Sequence, residues 1–297
     1  MSMTMKPKLW IPGGQGMLGS RLAAQVAAEG VDVVVTTRVD VDVSDRAAVL
    51  AFAQHVRPTL IVNCTAYTAV DKAESEPALA AAANGDAPGW IAEAAVSVAA
   101  RALHVSTDYV FDGQGTRPLR EDDVTGPVGV YGRSKRQGEE RFLDGTGGHG
   151  LVVRTSWLYG PGGKNFVATM LKLMAEREQL KVVADQRGRP TSTSTLAERL
   201  WRLLSLDTRG IVHVADATGP TGVSWHEFAT AIWTGAKARG LPMKATAIEA
   251  IATSAYPTPA ARPAWSVLDC SRCETLTGVL PSWTTTLDAY LDMQKRR

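Results

Sequence analysis

An apolar strand, a glycine-spaced turn and a helix, in that order at the front of the chain, restrict the fold more than any other feature. Residues 8–12 read as a short buried strand, Gly13-Gly14-Gln15-Gly16-Met17-Leu18-Gly19 as a tight loop, and 20–29 as an Ala- and Leu-rich helix. Glycines at 13, 16 and 19 let the backbone turn sharply and come close to a pyrophosphate. The helix that follows offers unpaired N–H groups and a positive dipole end to phosphate oxygens. A Gly-rich turn without a ligand has the same composition. The strand before it and the helix after it favour the phosphate-binding reading.

The alternation continues along the chain. Strands are expected at 31–37, 60–63, 103–106 and 151–154, with helices at 46–55, around 78–83 and at 87–99. Continuous apolar strands between helices predict an α/β fold: a Rossmann-type doubly wound parallel sheet covered on both faces. After Trp157 the rhythm changes. Helices are expected at 165–177, 195–206 and 225–239, a strand at 211–214, and a polar Gly/Pro-rich loop at 185–195. This predicts a dinucleotide-binding domain over 1–159, with about 195–216 returning to it, and a smaller α/β substrate lobe formed mainly by 160–297.

A chain of 297 residues that is 45% hydrophobic can bury one large or two small cores. A net charge of +2 with 21% charged residues sets up no single-sign field, which argues against nucleic acid or an anionic membrane as partner. No apolar run approaches the length of a membrane span. The polar start at 1–8 does not read as a signal peptide, and the basic end, Lys295-Arg296-Arg297, reads as a solvated tail. Cys64, Cys270 and Cys273 are too few for a disulfide framework, so the expected location is cytoplasmic.

The chemistry is concentrated in two runs. Ser106-Thr107-Asp108-Tyr109-Val110-Phe111 follows an apolar strand, where the Thr107 hydroxyl could hold a substrate carbonyl. Tyr131-Gly132-Arg133-Ser134-Lys135 places a phenol and an ammonium on one face of a helix. An ammonium beside a phenol favours the phenolate, and such a tyrosine can exchange a proton near neutral pH. Together these residues suit reduction of a ketone by a nicotinamide cofactor. The plain alternative is a chance pairing on a surface helix. The second strand ends Thr36-Thr37-Arg38, without the acid that NAD sites carry there. This favours NADPH and leaves NADH open, with Arg38 either a 2′-phosphate ligand or a surface charge. Asp42 and Val43 open the next loop at the same sheet edge and are candidates for the adenine. The pair Cys270 and Cys273 has no second pair or histidine cluster beside it, and no metal site is assigned. His104 lies in an apolar strand and reads as a core residue, and most of the eight tryptophans read as packing.

These runs are joined by Val62-Asn63-Cys64-Thr65-Ala66-Tyr67-Thr68-Ala69-Val70-Asp71-Lys72-Ala73-Glu74 and Arg154-Thr155-Ser156-Trp157-Leu158-Tyr159. Asp185-Gln186, Gly188, Pro190-Thr191, Thr253-Ser254-Ala255-Tyr256-Pro257-Thr258-Pro259-Ala260 and Arg262-Pro263 complete the set. Nearly end to end, the chain resembles the extended short-chain dehydrogenase/reductases, and within them the dTDP-4-dehydrorhamnose reductase family. The resemblance implies Tyr131 as catalytic acid, Lys135 as its partner and a ribose ligand, and Thr107 as carbonyl ligand. It implies Asp108 and Trp157 at the sugar, with Trp157 offering a flat apolar face. Gly13, Gly16, Met17 and Leu18 would serve the pyrophosphate, Asp42 and Val43 the adenine, and Ala66, Tyr67 and Thr68 the nicotinamide side. The implied reaction is NADPH-dependent reduction of the C4 ketone of a dTDP-linked 4-keto-6-deoxysugar, dTDP-4-dehydro-6-deoxy-L-mannose, to dTDP-L-rhamnose.

Some positions depart from the family pattern. Cys64 and Thr65 stand where alanines are usual, Trp10 is bulky for a first strand, and Pro12 replaces a hydrogen-bonding residue. Some members form metal-bridged dimers; a homodimer is left open and no metal ligand is carried over. The related 4,6-dehydratases follow the aspartate with a glutamate, whereas Asp108 is followed by Tyr109. The alternatives are a 4-ketoreductase for another nucleotide-linked deoxysugar, or a non-catalytic NADP-binding regulatory subunit. Intact Thr107, Tyr131 and Lys135 argue against the regulatory subunit.

Overall fold

In a computed structural model, which describes residues 6–295, six strands form one parallel sheet. Residues 1–5 of the polar start, and Arg296 and Arg297 of the basic end, lie outside the described residues. The strands are β1 (Lys8–Pro12), β2 (Asp32–Thr36), β3 (Leu60–Asn63), β4 (Arg101–Thr107), β5 (Leu151–Thr155) and β6 (Gly210–His213). Their order is β6-β5-β4-β3-β1-β2, and every pairing is parallel. Strands buried on both faces need apolar side chains at successive positions, which is why Leu9, Trp10 and Ile11 are all fully buried. The connections diverge on either side of β1, so a crevice opens at the carboxyl ends of β1 and β3. In such sheets that switch point is where ligands bind.

The principal helices are α1 (Met17–Ala28), α2 (Arg46–Val56), α3 (Ala87–Ser97), α4 (Val130–Gly145), α5 (Phe166–Glu176), α6 (Thr193–Ser205), α7 (Trp225–Ala238) and α8 (Trp283–Lys295). The first begins three residues before its expected start, directly from the glycine loop, with Gly16 as N-cap. The Asp45 side chain accepts from the backbone N–H groups of Ala47 and Ala48 and so starts α2, a cap worth about 1 kcal/mol.

Two expectations need correction. The helix around 78–83 and the helix from 87 are separated by no loop: Pro77–Ala80 runs through a π-helical turn, Ala81–Asp86, into α3. That widened turn lies against Gly138 of α4, where an added Cβ would run into the Asn84 carbonyl. The expected loop at 185–195 contains two short strands, Arg187–Gly188 and Thr191–Ser192, and α6 already begins at Thr193. The Ser192 hydroxyl accepts from the Thr195 N–H and caps that helix earlier than apolar spacing suggests.

Three hydrophobic clusters hold the molecule together. On one side of the sheet, Leu22 and Val26 of α1 meet Leu196, Leu200 and Leu203 of α6. Val267, Leu268, Cys270, Cys273 and Leu280 join this cluster, so the two thiols of the C-x-x-C are core groups. On the other side Trp10 packs against Phe52, and its Nε1 donates to Thr36 Oγ1 at 2.9 Å. That bond satisfies the one polar atom of a large side chain in a buried strand. The third cluster joins α5, α7 and α8 to the strand pair Gln179–Val183 and Ala247–Ile251, around Tyr159, Met174 and Phe228. Among the described residues no helix is long and apolar enough to cross a membrane.

Candidate active site

A cavity of about 790 Å³ lies over the carboxyl ends of β1, β3, β4 and β5 and reaches Trp225 on α7. Ten expected site residues line it: Gly16, Met17, Leu18, Ala66, Thr68, Thr107, Asp108, Tyr131, Lys135 and Trp157. Gly13, Arg38, Asp42, Val43 and Tyr67 are not part of this wall.

Gly13 sits beneath the wall. Its φ is +73°, and an added Cβ would fall 3.0 Å from the Cys64 backbone carbonyl. Glycine is needed there for the turn and the close approach of β3. Gly16 at the start of α1 provides no side-chain cap, which leaves the first N–H groups of the helix for an anion in the cavity. Tyr67 is turned aside, its hydroxyl bonded to Glu76. Its backbone is pinned by Asn84: the Tyr67 N–H donates to Oδ1 at 2.8 Å, and Nδ2 donates to the Tyr67 carbonyl at 3.0 Å. Asn84 comes from the π-helical turn, a feature that apolar periodicity cannot reveal, and it holds the loop that presents Ala66 and Thr68.

Beyond β2, the Arg38 side chain is 81% exposed and meets Asp42 at 3.3 Å. Bonds from the Ser44 hydroxyl and N–H, at 2.6 and 2.9 Å, hold the Asp42 carboxyl below its usual range. Val43 packs beside the Trp10 cluster.

The chemical end of the cavity is more constrained than spacing suggested. The Thr107 hydroxyl donates to Asp108 Oδ1 at 2.9 Å and accepts from the Tyr109 N–H at 3.2 Å. A hydroxyl has one hydrogen, so holding a carbonyl requires it to rotate away from Asp108. Asp108 is 1% exposed; burial pushes its carboxyl up to about 6, opposed by hydrogen bonds from Ser266 and Thr107.

The expected effect of Lys135 on Tyr131 is not present in this arrangement. Lys135 Nζ donates to the Val105 carbonyl at 2.7 Å and meets His104 Nε2 at 3.2 Å. Burial pushes the Tyr131 phenol up instead of down, with Thr107 opposing. The spacing correctly placed both residues on one face of α4. It could not show that β4 supplies hydrogen-bond partners for Nζ.

Trp157 also differs from expectation. Its φ is +47°, a rare conformation for a bulky residue. One face of its indole is stacked on Trp225, with centroids 3.5 Å apart and planes 8° from parallel. Gly188 presses on the ring near Cε2, where an added Cβ would lie 2.6 Å away. One face of the ring is therefore taken by Trp225, while Trp157 still lines the cavity. Trp225, which sequence reasoning passed over as packing, lines the cavity beside it.

A Rossmann-type sheet, an uncapped helix start after a glycine loop, and Thr, Tyr and Lys at one cavity together define a short-chain dehydrogenase/reductase. More narrowly, the family model described as RmlD substrate binding domain matches residues 7–296, and the chain belongs to this family. It is 43% identical over 274 residues to a dTDP-4-dehydrorhamnose reductase of Streptomyces griseus, covering 92% of this chain and 88% of the relative. It is 40% identical over 286 residues to the spore coat polysaccharide biosynthesis protein SpsK of Bacillus subtilis, covering 96% of each chain. A crystal structure of dTDP-4-dehydrorhamnose reductase from Bacillus anthracis in complex with NADP superposes with a TM-score of 0.90. It is 35% identical and covers 97% of this chain and 100% of that one.

Proposed function

We propose that this protein reduces the C4 ketone of dTDP-4-dehydro-6-deoxy-L-mannose to dTDP-L-rhamnose with NADPH. The observation that carries this reading is the convergence of Thr107, Tyr131 and Lys135 on the cavity that the uncapped start of α1 also lines. The nicotinamide, when bound, supplies the hydride. Tyr131, kept protonated by its buried setting, gives its proton to the oxygen that becomes the alcohol. Thr107 and Asp108 are among the polar groups of the cavity wall that would orient the sugar. Lys135 would serve the ribose. The N–H groups of Met17 and Leu18 would take the pyrophosphate, Gly16, whose own N–H is bonded to the Gly13 carbonyl at 3.0 Å, would let it approach, and Asp42 and Val43 would take the adenine. The two-domain division at residue 159, a cytoplasmic location and a homodimer belong to the same proposal. The direct test is to supply the keto sugar and NADPH, follow cofactor oxidation, and identify the product by NMR. Binding of NADPH without turnover on any 4-keto sugar would leave only a regulatory role. Turnover confined to another sugar would keep the chemistry and change the substrate.

Two residues give narrower tests. Arg38, paired with Asp42 at the end of β2, would meet a 2′-phosphate, so Arg38→Ala should raise the KM for NADPH about tenfold and leave that for NADH nearly unchanged. Equal effects on both cofactors would remove Arg38 from the site. Trp225→Ala removes the ring stacked on Trp157. Its KM for the sugar nucleotide should rise roughly tenfold with NADPH affinity kept, a loss in the range of an aromatic pair plus its buried area. An unchanged KM would mean that the stack serves packing alone.

A further inference from the structure

Asn63 and His104 face each other in register on β3 and β4, both fully buried, directly behind Lys135. The direction of each hydrogen bond in this group is set from one end. The backbone N–H of Thr65 can only donate, and it donates to Asn63 Oδ1 at 3.0 Å; the Thr65 hydroxyl joins it at 2.6 Å. The other amide atom, Nδ2, is therefore the one 3.0 Å from His104 Nδ1. An amide nitrogen only donates, so Nδ1 accepts, and the neutral ring carries its proton on Nε2. Reversing the amide would set two donors face to face at Thr65. Nε2 lies 3.2 Å from Lys135 Nζ, so an N–H points at the lysine nitrogen. An ammonium has no lone pair to accept it; an uncharged amine has one. The remaining bond of Nζ, to the Val105 carbonyl, suits either form.

We propose that Asn63 and His104 are positioning residues that set the ionisation of Lys135: by locking the ring tautomer, they turn an N–H onto Nζ and favour the uncharged amine in the free protein. The inference rests on the reading of Lys135 as a residue of the reductase site. The surroundings agree. Burial holds His104 well below its usual range, so the ring is neutral as the argument requires. Burial also lowers Lys135 to about 8, opposed by the Glu139 carboxylate on its own helix and by Cys64 after β3. The Cys64 thiol is itself pushed up to about 12 and stays uncharged near neutrality. Glu139 is committed to Arg154 by two bonds of 2.8 Å.

The test uses the full free protein with ¹³C-labelled lysine and ¹⁵N-labelled histidine, the Lys135 signal being the one lost in Lys135→Met. Lys135 should titrate near pH 8, well below the exposed lysines, and the ¹⁵N shifts should show His104 protonated on Nε2. Asn63→Asp gives Nδ1–H an acceptor, switches the tautomer and leaves Nε2 able to accept from an ammonium. The Lys135 midpoint should rise by about one pH unit, a tenfold change in its ionisation. His104→Gln, whose amide can offer its oxygen to Nζ, should move it the same way. A His104 proton on Nδ1 or a Lys135 midpoint above 10 overturns the proposal, and both are read on the unsubstituted protein even if neither variant folds. A folded variant of each kind with an unmoved midpoint overturns it too. Absence of turnover on the keto sugar would leave these titrations unaffected, so the two readings fail separately.

Discussion

Replacing Tyr131 with Phe is expected to lower kcat about a thousandfold while the affinity for NADPH changes by no more than about threefold. The substitution removes one hydroxyl and keeps the ring, which packs edge-on against Tyr109 with centroids 5.5 Å apart. The fold and the cofactor wall should therefore survive. What is lost is the acid that supplies a proton as hydride arrives at the carbonyl carbon. The environment of the phenol suits this direction of reaction. A group held above its ordinary range stays protonated through neutral pH, so the proton donor itself should remain loaded into mildly alkaline solution. Near-normal turnover in Tyr131→Phe would sink the assignment. A fall in NADPH affinity parallel to that in kcat would instead mean that the variant had damaged the site as a whole.

Arg154→Met is expected to cost about 3–5 kcal/mol of stability, read as a large drop in the urea unfolding midpoint. Arg154 on β5 and Glu139 on α4 are 1% and 0% exposed and share two bonds of 2.8 Å. The guanidinium also lies 5.1 Å from the centre of the Phe111 ring. Removing the arginine leaves a fully buried carboxylate without its main partner, and Arg136, 3.8 Å away, is poorly placed to replace a two-pronged bond. The cost belongs to the orphaned charge more than to the lost attraction. Adding Glu139→Leu to Arg154→Met should therefore restore much of the stability. If the single variant unfolds within about 1 kcal/mol of the original, the pair is not desolvated as its burial implies. Because α4 carries Tyr131 and Lys135, the same bond also anchors the chemical residues to the sheet.

Local features were legible in the amino-acid sequence where their cause is local. The glycine loop, the Val-rich strands and the four-residue step from Tyr131 to Lys135 each follow from neighbouring residues, and each appears where expected. Features made by distant partners were not. Asn84 meets Tyr67 through a π-helical turn that the α-helical period does not encode. Trp157 and Trp225 stack although they are 68 positions apart in the chain, and Gly188 lies against the Trp157 ring from a third segment. His104 looked like an inert core residue because its strand is apolar. Its significance depends on which atoms of Asn63 and Lys135 the fold sets against its two nitrogens.

The route of the chain through its clusters has a consequence for how the protein can be made. The cluster beneath the sheet begins at Leu9 and is completed by Leu280, and between them the chain leaves to build the cluster around Tyr159 and Phe228 before returning. A fragment ending at residue 159 lacks α6, β6 and the segment around Leu268, and so exposes Leu22 and Val26 to water. Folding from the N-terminus outward, one half at a time, cannot close this cluster. The growing polypeptide has to emerge almost whole from the ribosome first, with its apolar sheet face uncovered for most of synthesis.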